Sequence, residues 1–377
     1  MTEWKKVKLG EVCKKVTSGG TPKSSVQAYY TPPTIPWLKT KEVNYNRIYT
    51  TEYLISEEGI KHSSAKIIPT NSVIIAMYGE AAGRIAINKI PITTNQACCN
   101  LILDESKADY EYIYYYLCTL YAKLTSLRKG AAQTNLSAQV IKDIEIDLPP
   151  LAIQHSIATT LSRYDALIAN YHRQIKLLEE AAQRLYKEWF VDLHFPGHEN
   201  VKVIDGVPEG WEKKAITDLL EIKYGKDHKP LKEGTYPVYG TGGVMRYVEK
   251  TLYTGESVLI PRKGSLNNIM LVNDSFWTID TMFYSIPKIK DTAKIAYFYL
   301  KGLDMYNLNN GAAVPSMTVQ ILSTLKLILP SDDIRSVFEQ KVSVMYNDIR
   351  TLQHSISLLT ESRDRLLPKL MSGEVEL

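Results

Sequence analysis

Residues 130–153, GAAQTNLSAQVIKDIEIDLPPLAI, and residues 311–334, GAAVPSMTVQILSTLKLILPSDDI, align under a constant shift of 181. The shift superposes Gly130-Ala131-Ala132 on Gly311-Ala312-Ala313, Leu148-Pro149 on Leu329-Pro330, and Ile153 on Ile334. Working outward, each segment is preceded by a Trp-led basic stretch, WKKVKLGEV from Trp4 and WEKKAITDL from Trp211. That second shift is 207, so the first copy carries about 26 additional residues between its two landmarks. Internal similarity at a fixed offset has to be settled before any local motif, and here it defines a tandem repeat of two diverged units.

After each proline the apolar residues step by four and three. In the first copy they are Ile157, Leu161, Tyr164, Ile168, Tyr171, Ile175, Leu178, Ala182, Leu185 and Trp189. The shift of 181 maps these onto Phe338, Val342, Met345, Ile349, Leu352, Ile356, Leu359, Arg363, Leu366 and Leu370. Two stripes in one register predict two long coiled-coil helices, each of about 40 residues and roughly 60 Å. Arg363 interrupts the second stripe and is expected to make a weak layer. Pro149-Pro150 and Pro330 stop the preceding strands, and Ser331 with Asp332 and Asp333 suits a helix start.

Before each long helix the pattern is mixed. SVIIAMYG from Ser72, DIEIDLP from Asp143 and ESVLIPRKG from Glu256 read as strands. ADYEYIYYYLCTLYAKLTSLRKG and DTAKIAYFYLKGLDMY read as helices packed on them, with the tyrosines of 112–121 in core and interface positions. The expected fold is α+β: two mixed α/β globular domains separated by two long antiparallel helices, with pseudo-two-fold symmetry. Residues 1–150 form the first domain, 151–192 the first helix, 193–210 a linker, 211–330 the second domain and 331–377 the second helix.

Net charge follows the same division. The chain has 377 residues with 45 Lys+Arg and 41 Asp+Glu. Residues 1–150 hold 18 basic and 14 acidic residues, residues 211–330 hold 15 and 11, and the rest are net acidic. Two mildly basic blocks suit two phosphate-facing surfaces, and equally suit scatter in a modestly basic protein. No apolar run approaches the roughly 20 residues of a membrane span, and the start MTEWKKVKLGEV lacks a signal peptide's apolar stretch. A cytoplasmic protein that binds no membrane is expected. Cys13, Cys98, Cys99 and Cys118 form no CxxC pair and read as reduced thiols.

The chain resembles the specificity (S) subunit of Type I restriction-modification systems. The resemblance spans the repeat segment GAAQTNLSAQVIKDIEIDLPPLAIQ, LYKEWFVDLHFPG, VPEGWE and the closing LLPKLMSGEVEL. Within the units it rests on GRIAI with TTNQACCNLIL, and on YPVYGTGGVM with IPRKGSLNNIMLV and FWTIDTMFY. In the second copy Val314 replaces Gln133, and Met317-Thr318 replaces Leu136-Ser137. The resemblance implies two target-recognition domains, each reading half of a split asymmetric site in double-stranded DNA. It implies helices that set the gap and dock two modification subunits. S-adenosylmethionine, and the ATP and Mg of a restriction subunit that can join the assembly, would bind those partners; this chain would hold no cofactor or metal.

The residues themselves carry no catalytic set. Asp147-Leu148-Pro149-Pro150 breaks the Asn/Asp-Pro-Pro-aromatic pattern of adenine methyltransferases, and a strand stop accounts for it. Gly240-Thr241-Gly242-Gly243 lacks a βαβ context, no P-loop is present, and Glu339-x-Lys341 lies at the start of a heptad helix rather than on a strand, where it reads as a solvated helix face. His155, His172 and His354 lie on or beside the long helices, and His194 and His198 in a turn.

For duplex recognition, Lys/Arg and hydroxyls serve phosphate, and Arg, Lys, Asn and Gln serve base edges. The first domain offers Lys39-Thr40-Lys41, Arg84, Asn95-Gln96 and Arg128-Lys129. The second offers Tyr224, Lys226, Lys229, Arg262-Lys263, Ser265 and Asn267, in loops where Gly225 and Gly264 allow close backbone approach. Each is also compatible with a solvated surface charge, and Asn95-Gln96 with satisfying local backbone. Two further readings stay open from sequence: a stand-alone bipartite DNA-binding regulator or decoy, and an enzyme with a cryptic site.

Overall fold

The two sequence shifts meet in one strand pair. In the computed structural model Lys5–Lys8 runs antiparallel to Glu145–Leu148, with Lys5 opposite Leu148 and Lys8 opposite Glu145. Glu212–Ala215 runs antiparallel to Lys326–Leu329, with Glu212 opposite Leu329 and Ala215 opposite Lys326. Adding 207 to one strand and 181 to the other converts the first register into the second. The structure describes residues 4–129, 136–308 and 316–377, and the side chains of 126–129 are not described. The Gly-Ala-Ala segments, with Gln133 and Val314, therefore lie outside the described residues.

Contacts divide the chain into two compact units, Met1–Tyr171 with Ser355–Leu377, and His172–His354. The division thus falls inside each long helix rather than at its start. The reason is packing: Ile157 and Leu161 are buried with Leu370 and Met371 in the core of the first unit. Ala182, Tyr186, Trp189 and Phe190 are buried with Phe338 and Val342 in the core of the second. Each such side chain contributes about 1.5–3 kcal/mol on burial, so a helix end is as much part of a unit as its sheet.

In the first unit a five-stranded sheet has the order Cys13–Ser18, Cys98–Leu103, Val73–Ala76, Ile85–Asn88, Asn46–Ile48. Its central strand, Val73–Ala76, is buried along its whole length, as a continuous apolar run demands. The helix Tyr110–Thr119 lies in the same core; Asp109 caps it by accepting the Tyr112 N–H, and Tyr112 to Leu117 are all buried. Tyr121, by contrast, is 39% exposed, with its ring edge-on to Tyr45. A second sheet orders Tyr53–Ile55, Ile35–Leu38 and Thr93–Thr94.

The second unit has a six-stranded sheet of order Leu220–Tyr224, Met282–Pro287, Tyr253–Pro261, Met270–Thr278, Tyr236–Gly240, Gly243–Val248. The helix Ala293–Lys301 packs on it. Short helices precede the last strand of each repeat. Ser137 Oγ accepts the Val140 N–H and Thr318 Oγ1 accepts the Ile321 N–H, so the Ser-to-Thr divergence keeps the capping hydroxyl.

The long helices are Leu151–Tyr186, continued by a wider turn at Lys187–Val191, and Asp332–Met371. The segment expected as a linker holds a small hairpin, Val203–Ile204 with Val207–Pro208. Within each unit the helices run antiparallel: the start of the first packs with the end of the second in one, and the end of the first with the start of the second in the other. Leu161, Val342 and Ile349 are buried, while Tyr164, Ile168, Tyr171, Ile175, Leu178, Met345, Leu352, Ile356 and Leu359 are half-buried. Arg363 corrects one expectation. Instead of a weak layer it makes an ion pair with Asp165 at 2.7 Å, within the first unit. No helix among the described residues is long and apolar enough to cross a membrane.

Candidate nucleic-acid interface

Four loops of the first unit are held together by main-chain hydrogen bonds. Leu38 pairs with Thr94 in a parallel bridge, and the Asn95 N–H donates to the Leu38 carbonyl at 2.9 Å. The Gly20 N–H donates to the Thr94 carbonyl at 2.9 Å, and the Trp37 indole N–H donates to the Gly20 carbonyl at 3.0 Å. Met77 N–H donates to the Ala97 carbonyl at 2.8 Å, and Leu136 N–H to the Met77 carbonyl at 3.2 Å. The loops at 19–21, 39–41, 77–79 and 95–97 thereby share one end of the sheets.

The second unit repeats that main-chain frame, with its indole donor on the neighbouring strand. Tyr239 pairs with Thr278 in a parallel bridge, and the Ile279 N–H donates to the Tyr239 carbonyl at 3.1 Å. Lys226 N–H donates to the Thr278 carbonyl at 2.9 Å, and the Trp277 indole N–H to the Lys226 carbonyl at 2.9 Å. Arg262 N–H donates to the Thr281 carbonyl, and Met317 N–H to the Arg262 carbonyl, both at 2.8 Å. Gly79 and Gly264 turn with the same positive φ of 74°. A Cβ at Gly19 would overlap the Thr94 carbonyl oxygen, and one at Gly225 that of Ile279, so both close approaches require glycine.

The side chains mounted on the two frames differ. In the first unit the Lys39 ammonium stands 3.5 Å from the Tyr53 ring centroid and 4.9 Å from that of Trp37. Lys41 bonds Glu52 and the Tyr53 hydroxyl, which hold its ammonium above the ordinary lysine range. Thr40 is half-buried beside them. Arg84 donates to Asn44 Oδ1 at 3.3 Å. Asn95 turns inward: its Oδ1 accepts the Ala97 N–H at 3.2 Å. Gln96 is exposed and bonds Thr21. The side chains of Arg128 and Lys129 lie outside the described residues. Tyr53 and Asn44 were not singled out from sequence, because only the non-local pairing brings them to this face.

In the second unit the Arg262 guanidinium lies 4.7 Å from the Tyr224 ring centroid and 5.1 Å from that of Phe283. Its Nη1 donates to the Asp280 carbonyl at 2.7 Å, and its Nε is buried with no hydrogen-bond partner among the described residues. Arginine's planar fork, stacked and tethered in this way, loses little further entropy on meeting an acceptor. Lys226, Lys229, Lys263 and Ser265 are exposed. Asn267 is committed elsewhere: its Oδ1 accepts the Met305 N–H at 2.8 Å, and its Nδ2 donates to Asp304 at 3.4 Å. Tyr306 braces the same loop by donating to the Gly264 carbonyl at 2.7 Å. The frame thus gathers Tyr224, Lys226, Arg262 and Lys263, and leaves Asn267 as loop scaffold.

The remaining chemistry-bearing motifs are structural. Asp147 Oδ2 accepts the Tyr116 hydroxyl at 3.1 Å, and its carbonyl accepts that of Tyr112 at 2.7 Å. Gly240–Gly243 is a hairpin turn joining two antiparallel strands. Glu339 pairs with the buried Lys294, which also pairs with Glu256. His155 Nδ1 lies 2.7 Å from Asp109 Oδ2. Among the described residues no group of three or more His, Cys, Asp or Glu is placed to hold a metal ion.

A family model for the type I restriction modification DNA specificity domain matches residues 1–180 and 208–354. The type I restriction enzyme MjaIX specificity subunit of Methanocaldococcus jannaschii is 27% identical, over all of this chain and 97% of its own length. The EcoprrI specificity subunit of Escherichia coli is 22% identical, over 90% of this chain and 86% of its own length. A solved type I restriction-modification S subunit from M. genitalium shares the fold, with a TM-score of 0.66 at 19% identity, covering 98% of this chain and 96% of that one.

Proposed function

The chain belongs to the type I restriction modification DNA specificity family, and from that membership we propose that its two four-loop frames read the two halves of a split, non-palindromic DNA site. Specificity subunits are the DNA-recognition components of type I systems, not their catalysts. The observation that carries the reading is one main-chain frame occurring twice with different side chains, Lys39, Lys41 and Arg84 on one copy and Tyr224, Lys226, Arg262 and Lys263 on the other. A symmetric reader presents identical groups twice and selects a palindrome. Two unlike readers select two unlike half-sites.

On this reading Arg262 reads a base edge, and Lys39, Lys41, Lys226, Lys229 and Lys263 hold phosphates or base edges, with the exposed Gln96 and Ser265 and the half-buried Thr40 as polar contacts. The long helices dock two modification subunits, which bind S-adenosylmethionine and methylate adenine N6. A restriction subunit with ATP and Mg joins the same assembly, in the cytoplasm with the DNA. The stand-alone regulator is the less favoured account, since the relatives are named as subunits of restriction enzymes. The test is to combine the full chain with its modification subunit and map N6-methyladenine across mixed-sequence DNA. Methylation at a split asymmetric site, falling steeply as salt rises, supports the reading. Methylation by the chain alone, or without sequence preference, overturns it.

A further inference from the structure

The second reader exposes apolar side chains where a polar surface would be the default. Val244 is 47% exposed and Met245 57%, both on the edge strand Gly243–Val248 just beyond the hairpin turn. The register slips between Val238 and Tyr239, so that Val244 opposes Tyr239 and Arg246 opposes Val238, which leaves Met245 as the unpaired bulge residue. A bulge re-aims a side chain, and here its direction is known. A Cβ at Gly240 would overlap Met245 Sδ and come within 3.2 Å of Ile279 Cδ1. Met245 therefore lies across Gly240 toward Ile279, whose N–H belongs to the loop frame.

Met245 and Ile279 thus form an apolar spot within the frame that carries Lys226, Arg262 and Lys263. The hairpin and the basic loop adjoin directly, since a Cβ at Gly264 would lie 3.1 Å from Thr241 Oγ1. An exposed apolar group on a hairpin that adjoins a basic loop suits a ligand that is anionic at its backbone and apolar at one point. In duplex DNA that point is the thymine 5-methyl in the major groove, a recognised apolar contact for side chains.

We infer that Met245, backed by Ile279, contacts a thymine methyl in the half-site read by the second unit. This rests on the reading of the frames as DNA readers and adds a base-specific residue to it. The corresponding loop of the first reader, after Leu38, continues through Lys39, Thr40 and Lys41 to a fully buried Val43 and a polar Asn44 held by Arg84. The first reader places polar Asn44 at that point, followed by Tyr45, whose ring lies edge-on to Tyr121.

The experiment replaces each thymine of both half-sites, one at a time, with deoxyuridine, and measures binding by the full chain with its modification subunit. Removing one methyl group from the second half-site should weaken binding about fourfold, the worth of one buried methyl. In Met245→Ala that penalty should vanish, while the dependence on the first half-site is unchanged. A second half-site without thymine on either strand overturns the inference, as does a deoxyuridine series without effect, or a penalty that persists in Met245→Ala. Those results leave sequence-specific binding intact; absence of any sequence-specific binding would instead remove the underlying reading.

Discussion

Asp165 of the first long helix accepts hydrogen bonds from Arg363 Nη1 at 2.7 Å, Arg47 Nη1 at 2.8 Å and the Tyr115 hydroxyl at 2.6 Å. Arg47 also pairs with Glu111, which pairs with Lys89. One carboxylate thereby joins the reader's strand Asn46–Ile48, its helix Tyr110–Thr119 and both long helices within the first unit. Burial pushes this carboxyl's pKa up, but the hydrogen bonds from Tyr115 and Arg363 and the charges of Arg47 and Arg363 outweigh it, and the net shift is downward.

The sign of the resulting pH dependence follows from that shift. A carboxylate depressed in the folded state contributes stability above its unfolded pKa of about 4, and that contribution is lost as pH falls through the lower folded value. Asp165→Ala removes the carboxylate between Arg47 and Arg363, which keep Glu111 and Asp364 respectively, and should cost about 2–3 kcal/mol at pH 7. Arg363→Met should cost less, because Arg47 and Tyr115 still satisfy Asp165. Urea titrations between pH 3 and pH 7 check both points, and the Asp165→Ala penalty should shrink toward pH 3.

The charge cluster of the second unit behaves oppositely. Burial raises the pKa of Glu256, and the adjacent Lys294 counteracts it. Removing the lysine as Lys294→Met leaves Glu256 beside Glu339, with its pKa raised further. A folded-state pKa above the unfolded one gives stability that is present at low pH and lost as pH rises. The variant's deficit should therefore be larger at pH 8 than at pH 5, measured as the difference in urea midpoint from the parent chain.

Gly19→Ala and Gly225→Ala separate the two frames. Each would force a Cβ into a carbonyl oxygen of a neighbouring loop, at Thr94 and Ile279 respectively. Each should weaken binding at least tenfold, with loss of discrimination at one half-site only. Competition binding against DNA scrambled in one half or the other distinguishes them. Equal damage to both half-sites by either variant would contradict independent frames.

The repeat, the helices and the strand stops were legible in the sequence because their signals are local or periodic. Leu161 and Val342 occupy matched stripe positions, and a step of four and three needs no tertiary knowledge to be seen. The frame was not legible, because it depends on pairs distant in the chain. Trp37 and Trp277 bond equivalent carbonyls from different strands, so no alignment of the two units matches them. Asn267 illustrates the converse. A polar residue in a Gly-flanked basic loop is a natural candidate for base contact, yet its amide is committed to Asp304 and Met305. Arg363 broke the stripe for a reason that lay in Asp165, which sequence periodicity does not rank.

Burial pushes the thiols of Cys13, Cys99 and Cys118 up to about 12, and raises that of Cys98 as well. The thiolate is the reactive form, so the native chain should react negligibly with a thiol reagent at pH 8. All four cysteines, which are free, should label once the chain is unfolded in urea. Rapid labelling of Cys13 or Cys118 in the native state would contradict their placement.

Two unlike readers on one frame should give two unlike half-sites. Mapping N6-methyladenine produced by the full chain with its modification subunit, for the parent and for Arg262→Ala, tests it most directly. The parent should methylate a split, non-palindromic site, and the variant should relax its preference in one half-site alone. A palindromic or contiguous parent site, or relaxation of both halves by Arg262→Ala, would contradict it.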